Sequence, residues 1–336
     1  MNSSLRRLAL ATTLALGSFG ASALELPSGA CNGQNCLQFS DFQVYSLTLL
    51  NGGSAPNGND PWYVSSTPGT IKDFIVIGVN ANGQASTNVS GVDNAYNTPS
   101  ANNGGASTFS TLSSDPANGP GTGDGNSWQA SLSVLKDQFA GSKFVGFFAF
   151  NETGGTGGAR DLLNGGPDLL AWAKLTLVDL QNTASNKSYY LQPTGSTLNN
   201  NPLASALPPS TASDGQTGPW AYVHGSICMS GTTFTGFPNA NGVCAIGSPK
   251  AQTNTGQNNA SFAIYNEDLD KEIHKANTNY DLLQIDWELA YINGGGETAW
   301  IQPFGRYEEQ VPEPGSLALI GIALAGLGFA RKRNAG

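Results

Sequence analysis

The sequence predicts a mainly β body, a β-sandwich or jelly-roll-like fold with one or two short helices, followed by a C-terminal transmembrane helix. Three observations carry this. Several short runs are rich in β-branched and aromatic residues, or alternate apolar with polar. Polarity comes from Gly (43 residues), Asn, Ser and Thr while only 12% of residues are charged, a balance that favours turns and short strands over long helices. A charge-free run of 17 residues, Pro314 to Ala330, closes the chain ahead of Arg331, Lys332 and Arg333.

Taken in order, Ile71–Val79 reads as a largely buried strand. Trp128, Leu132, Leu135 and Phe139 follow helical spacing, with Asn126 or Ser127 to cap the start and Gly141 to end it. Lys143–Phe150 is a second apolar strand. Ala171–Leu180 reads as a strand, with a helix as the alternative; Trp172, Lys174 and Thr176 lie opposite Ala173, Leu175 and Leu177. Trp220–Met229 and Phe234–Phe237 are further short strands. Glu267 to Lys275 reads as a helix capped by Asn266, acidic in its first turn and basic at its end, as the macrodipole favours. Asp281–Ile292 alternates most clearly. Leu283, Ile285, Trp287, Leu289 and Tyr291 share one face, and Gln284, Asp286 and Glu288 share a face expected to be solvated. Thr298–Ile301 is the last strand. Long polar stretches at 94–125, 152–167 and 191–219 are expected to line the ends of the sandwich. There is no tandem repeat of fixed period, which argues against a solenoid or propeller.

The ends carry addresses. Arg6 and Arg7, the apolar run Leu8–Phe19, and Ala21-Ser22-Ala23 form a signal peptide over residues 1–23, with cleavage after Ala23. The C-terminal run would reach about 25 Å as a helix, short of the roughly 30 Å hydrocarbon core. Gly315, Gly321, Gly326 and Gly328 weaken it further, and Arg331, Lys332 and Arg333 would stay on the cytoplasmic side. The expected division is thus signal peptide 1–23, β-rich extracellular body 24–310 and sorting signal 311–336. The order Val311-Pro312-Glu313-Pro314, short apolar segment, basic end resembles the PEP-CTERM sorting signal of Gram-negative bacteria. That resemblance implies export by the Sec machinery and transient anchoring in the inner membrane with the body in the periplasm. Exosortase processing near the motif and delivery to the cell surface or outside would follow. Gly91–Pro99, Asp168–Asp179 and the stretch from Ser261 through Tyr265 to Asp286 are similar to segments recurring in one group of PEP-CTERM proteins. This implies secretion and a β-rich body, and names no catalytic residue.

Removing residues 1–23 and 315–336 takes away five cations and no acid, leaving ten cations against 24 acids. So acidic a body argues against nucleic acid and anionic membrane surfaces as partners. It suits solubility outside the cell, and extracellular polysaccharide is the candidate partner. Cys31, Cys36, Cys228 and Cys244 are an even count in an oxidising compartment and read as disulfides. Three connectivities are open. The local pairs close the shortest loops, and zinc is the minor alternative because neither pair is C-x2-C.

No constellation of residues supports catalysis. His224 and His274 are the only histidines, and no H-E-x-x-H or G-x-S-x-G occurs. His274 reads as a solvated helix end and His224 as structural. Asp286 and Glu288, two apart on a strand, are the most suspicious carboxylates, but alternation accounts for them as one polar face. The chain is therefore read as a non-enzyme without a resident cofactor. Calcium is possible at loop acids such as Asp60, Asp93 or Asp124, although no EF-hand pattern is present and no ligand set can be named. Trp62 and Tyr63 are the aromatic residues expected to be most exposed. The reading is a secreted or cell-surface structural, exopolysaccharide-matrix-associated protein. A lectin-like carbohydrate-binding module is the alternative, and a divergent hydrolase the third.

Overall fold

The computed structural model describes residues 24–28, 31, 36–67, 71, 73–79, 89–98, 108–111, 127–152, 168–194, 220–231, 233–239, 242–245, 247–256, 259–292 and 296–307. Ala21, Ala23, residues 311–314, the expected transmembrane helix and the basic end 331–333 lie outside them. No helix among the described residues is long and apolar enough to cross a membrane.

The chain is mainly β. A seven-stranded sheet has the order β1 (Cys36–Phe39), β2 (Phe42–Ser46), β14 (Phe262–Tyr265), β7 (Lys143–Ala149), β16 (Thr298–Phe304), β3 (Ile75–Val79), β4 (Tyr96–Thr98). A six-stranded sheet is built on two long central strands, β8 (Asp168–Val178) and β15 (Leu282–Ala290). The outer edge of β8 is shared by β9 (Lys187–Leu191) and β10 (Ala221–His224); that of β15 is shared by β5 (Thr108–Ser110) and β6 (Trp128–Ser131). A small third sheet has the order β12 (Thr233–Gly236), β11 (Ser226–Ser230), β13 (Lys250–Gln252). Every pairing is antiparallel except β3 with β4, a parallel pair that an all-antiparallel jelly roll would lack.

The two larger sheets face each other across one core. Phe42, Phe144, Phe148, Ile264 and Ile301 of the first meet Leu175, Leu283, Ile285, Trp287 and Leu289 of the second. Phe148 stacks on Trp287 at 5.7 Å. The first sheet is buried on its other face too, where Tyr45, Val145, Phe147 and Trp300 pack under Leu26, Val64 and Ile71. That double burial is why β7 reads as a continuous apolar run rather than an alternation. Pro303 in β16 pairs with Phe144 of β7 but lies beyond the reach of β3, so its missing N–H breaks no ladder.

The helices are short: α1 (Leu47–Leu50), α2 (Leu132–Gln138) and α3 (Glu267–His274). α3 starts as expected, with Asn266 Oδ1 accepting from the Leu269 N–H at 2.6 Å. Expectation and structure part in several places, among them the stretch Trp220–Met229, which is divided between β10 and β11 in different sheets. Trp128 is not in a helix: Trp128–Ser131 pair with Leu282–Ile285, and α2 begins only at Leu132. The strand expected from Ile71 starts at Ile75. α1 was not foreseen; four residues are too few to show a period, and Ser46 caps it. The face carrying Asp286 and Glu288 is not solvated, both residues being buried.

Candidate functional site

The two ends of the folded body meet at one pole. β16 stops at Phe304 and the chain turns through Gly305, whose φ of +65° suits glycine. A Cβ at that position would sit 2.9 Å from a carboxylate oxygen of Glu25. Glu25 accepts from the Arg306 N–H with one oxygen and pairs with Lys143 through the other. Leu26 is buried beside it, and the Tyr45 hydroxyl donates to the Pro27 carbonyl at 3.0 Å. Tyr307 donates its N–H to the Gly141 carbonyl and stacks its ring on His274, with centroids 3.8 Å apart.

Asp270 lies beneath this pole, 1% exposed. Its Oδ1 accepts from the Phe144 N–H at 2.8 Å, and its Oδ2 from the Tyr265 hydroxyl at 3.0 Å. His274 Nδ1 lies 3.2 Å from Oδ1, and Nε2 lies 3.2 Å from the Phe139 carbonyl. Burial alone would lower the His274 pKa, but hydrogen bonds to Asp270 and Phe139 outweigh it and raise the pKa. His274 is therefore a half-buried structural group, not the solvated helix end expected. Burial, then Asp270, pushes the Tyr265 hydroxyl up.

Two further groups of acids are buried. Asp286 accepts from the Ser127 hydroxyl at 2.5 Å and stands opposite Lys174 in register; Glu288 stands opposite Trp172. Asp168 accepts from the Tyr222 hydroxyl at 2.9 Å, one strand away. The second group was not anticipated. Glu152 follows β7 and Glu297 precedes β16, and the β7–β16 register brings them together. Thr98 donates to the Glu297 carbonyl and Asn254 to the Glu152 carbonyl, holding both backbones. Glu297 is fully buried, and burial first, then Glu152, raises its pKa well above the usual value. A raised folded-state pKa means stability that is fully present below about 4.5 and lost as pH rises through the folded pKa. We expect Glu297→Gln to raise the thermal midpoint at pH 8 and to flatten its decline between pH 4.5 and 8. Differential scanning calorimetry across that range checks this; an unchanged slope would contradict it.

A half-open apolar pocket of about 130 Å³ lies where the three sheets meet. Leu37, Val44 and Phe148 wall it from the first sheet, Ala171 and Val223 from the second, and Ile227 from the third. Cys36, of the first disulfide, lines it. Cys31–Cys36 anchors the start of β1, and Cys228–Cys244 anchors β11, with Cα separations of 5.2 and 5.5 Å.

Residues 24–288 match the family model described as a domain of unknown function, DUF8239. The chain belongs to that family. The match begins at Leu24, the residue expected to follow signal cleavage, and ends within β15, so β16 completes the first sheet beyond it. Residues 310–333 match the PEP-CTERM protein-sorting motif. This DUF8239 protein is therefore an exosortase substrate, exported and bearing a C-terminal sorting signal. No curated protein and no solved structure matches the chain.

In the DUF8239 body, two of the segments that resemble other PEP-CTERM proteins hold a β-bridge, a long central strand and a turn. Val92 bridges to Ala130, and Asp93 accepts from the Gln129 N–H at 2.7 Å. Asp168–Val178 is β8, and Asp179 closes the following turn by accepting from Gln181 and Asn182 N–H groups and the Ser185 hydroxyl. Asp60 likewise ties a turn through Asn57. Among the described residues no three His, Cys, Asp or Glu side chains are grouped to hold a metal, and Asp124 lies outside them. Trp62 and Tyr63 are half-buried, with Trp62 packed on the second core cluster, so they form no exposed platform. His224 is buried, with Nδ1 at the Ser226 backbone.

Proposed function

We propose that this protein is a non-catalytic, matrix-associated scaffold. Its body, 24–310, is a β-sandwich held at the inner membrane by residues 315–330 until processing near Pro312-Glu313-Pro314 releases it to the surface or beyond. The observation that carries the reading is the pole at which Glu25 and Arg306 meet. The first residues of the body and the last described ones lie side by side, so the sorting tail leaves next to the start of the body. Only four residues separate Tyr307 from Pro312, so the motif can lie at most about 18 Å from the body. Exosortase would thus work close against the folded domain.

The non-catalytic reading follows from burial. Asp286, Glu288, Glu152 and Glu297 are all buried. The partner class follows from composition: an acidic, turn-rich exterior meets hydrated polysaccharide through divalent cations rather than through an aromatic platform. The test is co-sedimentation of the processed protein with exopolysaccharide purified from its own host, with and without calcium. Calcium-dependent recovery in the pellet is expected. Protein left in the supernatant in both conditions would overturn the matrix reading. A glycosidase activity lost in Asp286→Asn with the fold intact would overturn the non-catalytic one.

A further inference from the structure

We infer that the half-open pocket where the three sheets meet is a binding site for a small apolar group, a benzene-sized ring or the end of an alkyl chain. Interiors of folded proteins are close-packed, and voids of this size are few. The pocket's volume of about 130 Å³ is close to the roughly 150 Å³ of an apolar cavity known to take benzene.

The chemistry of the lining sets the class. The walls are aliphatic and aromatic, closed on one side by Phe234 and Phe237, whose rings lie 5.3 Å apart. Phe237 also meets Tyr222 edge-on at 5.1 Å. Polar groups on the lining are sparse: His224 contributes to it, and three hydroxyl groups there are engaged with protein. The Tyr222 hydroxyl donates to Asp168, the Thr253 hydroxyl donates to the His224 carbonyl, and Ser46 caps α1. A sugar would find its hydroxyl groups unmatched there and would be penalised for it. An apolar group displaces nothing that is well bound. The Cys31–Cys36 disulfide pins the start of β1, where Cys36 lines the pocket.

Ala171 and Ala221 are register partners on adjacent strands, and both line the pocket. Enlarging either fills it. The test is the thermal midpoint of the processed protein with toluene, with octanoate, and with glucose as the polar control. A rise of about 5 °C is expected at toluene or octanoate concentrations near a hundred times the Kd. A rise with toluene alone assigns a ring; a rise with octanoate assigns an alkyl end. Glucose should leave the midpoint unchanged. Ala171→Leu should abolish the rise, and Ala221→Leu serves if the first variant fails to fold. No rise with either apolar probe, or a rise that survives the filling substitution, would overturn the inference.

Discussion

Replacing Pro312-Glu313-Pro314 with three alanines is expected to leave unprocessed protein in the inner membrane, while the wild-type tail is removed. The two prolines bar helix at these positions and favour extended backbone in the residues before them. They therefore keep the segment between body and membrane readable as an extended strand. Three alanines instead extend the apolar run Gly315–Ala330 toward the body, which lengthens a marginal anchor into a stable one. Membrane fractionation and immunoblotting of the two forms, in a host carrying the matching exosortase, measures the effect. Equal processing of both would contradict the role given to the motif.

The second large effect is expected at Asp270. Asp270→Ala should cost about 3–5 kcal/mol of unfolding free energy at pH 6, because it strands several buried partners at once. The Phe144 N–H and Tyr265 hydroxyl lose their acceptor, and His274 loses its counter-charge. The His274 pKa is raised in the folded state, so its share of this stability is present below about 6.5 and is lost as pH rises through the folded value. The cost of the substitution should accordingly be smaller at pH 9 than at pH 6. Urea denaturation at both values checks this. Because Tyr307 stacks on His274, the same variant should expose the exit of the chain at Gly305–Tyr307 to limited proteolysis.

Much of the frame was legible because local signals agreed with tertiary context. In β15, Leu283, Ile285, Trp287 and Leu289 alternate and do face the core. Asn266, the acids after it and the cations at its end mark α3 without ambiguity. Trp128 was misleading because it falls at i−4 from Leu132, a helical spacing, whereas pairing with Ile285 draws it into the sheet. Tyr291 matched the alternation of β15 but lies beyond its end at a φ of +66°. Alternation also says which residues share a face but not what covers it, so Asp286 and Glu288 appeared solvated and are buried. The Glu152–Glu297 pair depends on strand register across 145 positions, and no local pattern reports it. The pocket is a property of how three sheets fit, which composition does not encode. The disulfides were legible as an even count, with the local pairing as the simplest of three, and that pairing is the one the structure contains.

The central claim is that both ends of this chain are addresses removed from a body whose own ends meet at one pole. Intact-mass spectrometry of the protein recovered outside cells that carry the matching exosortase tests it most directly. The account predicts a chain that begins at Leu24, ends at or near Pro312-Glu313-Pro314 and lacks residues 315–336. A recovered chain that still ends at Gly336 would contradict it.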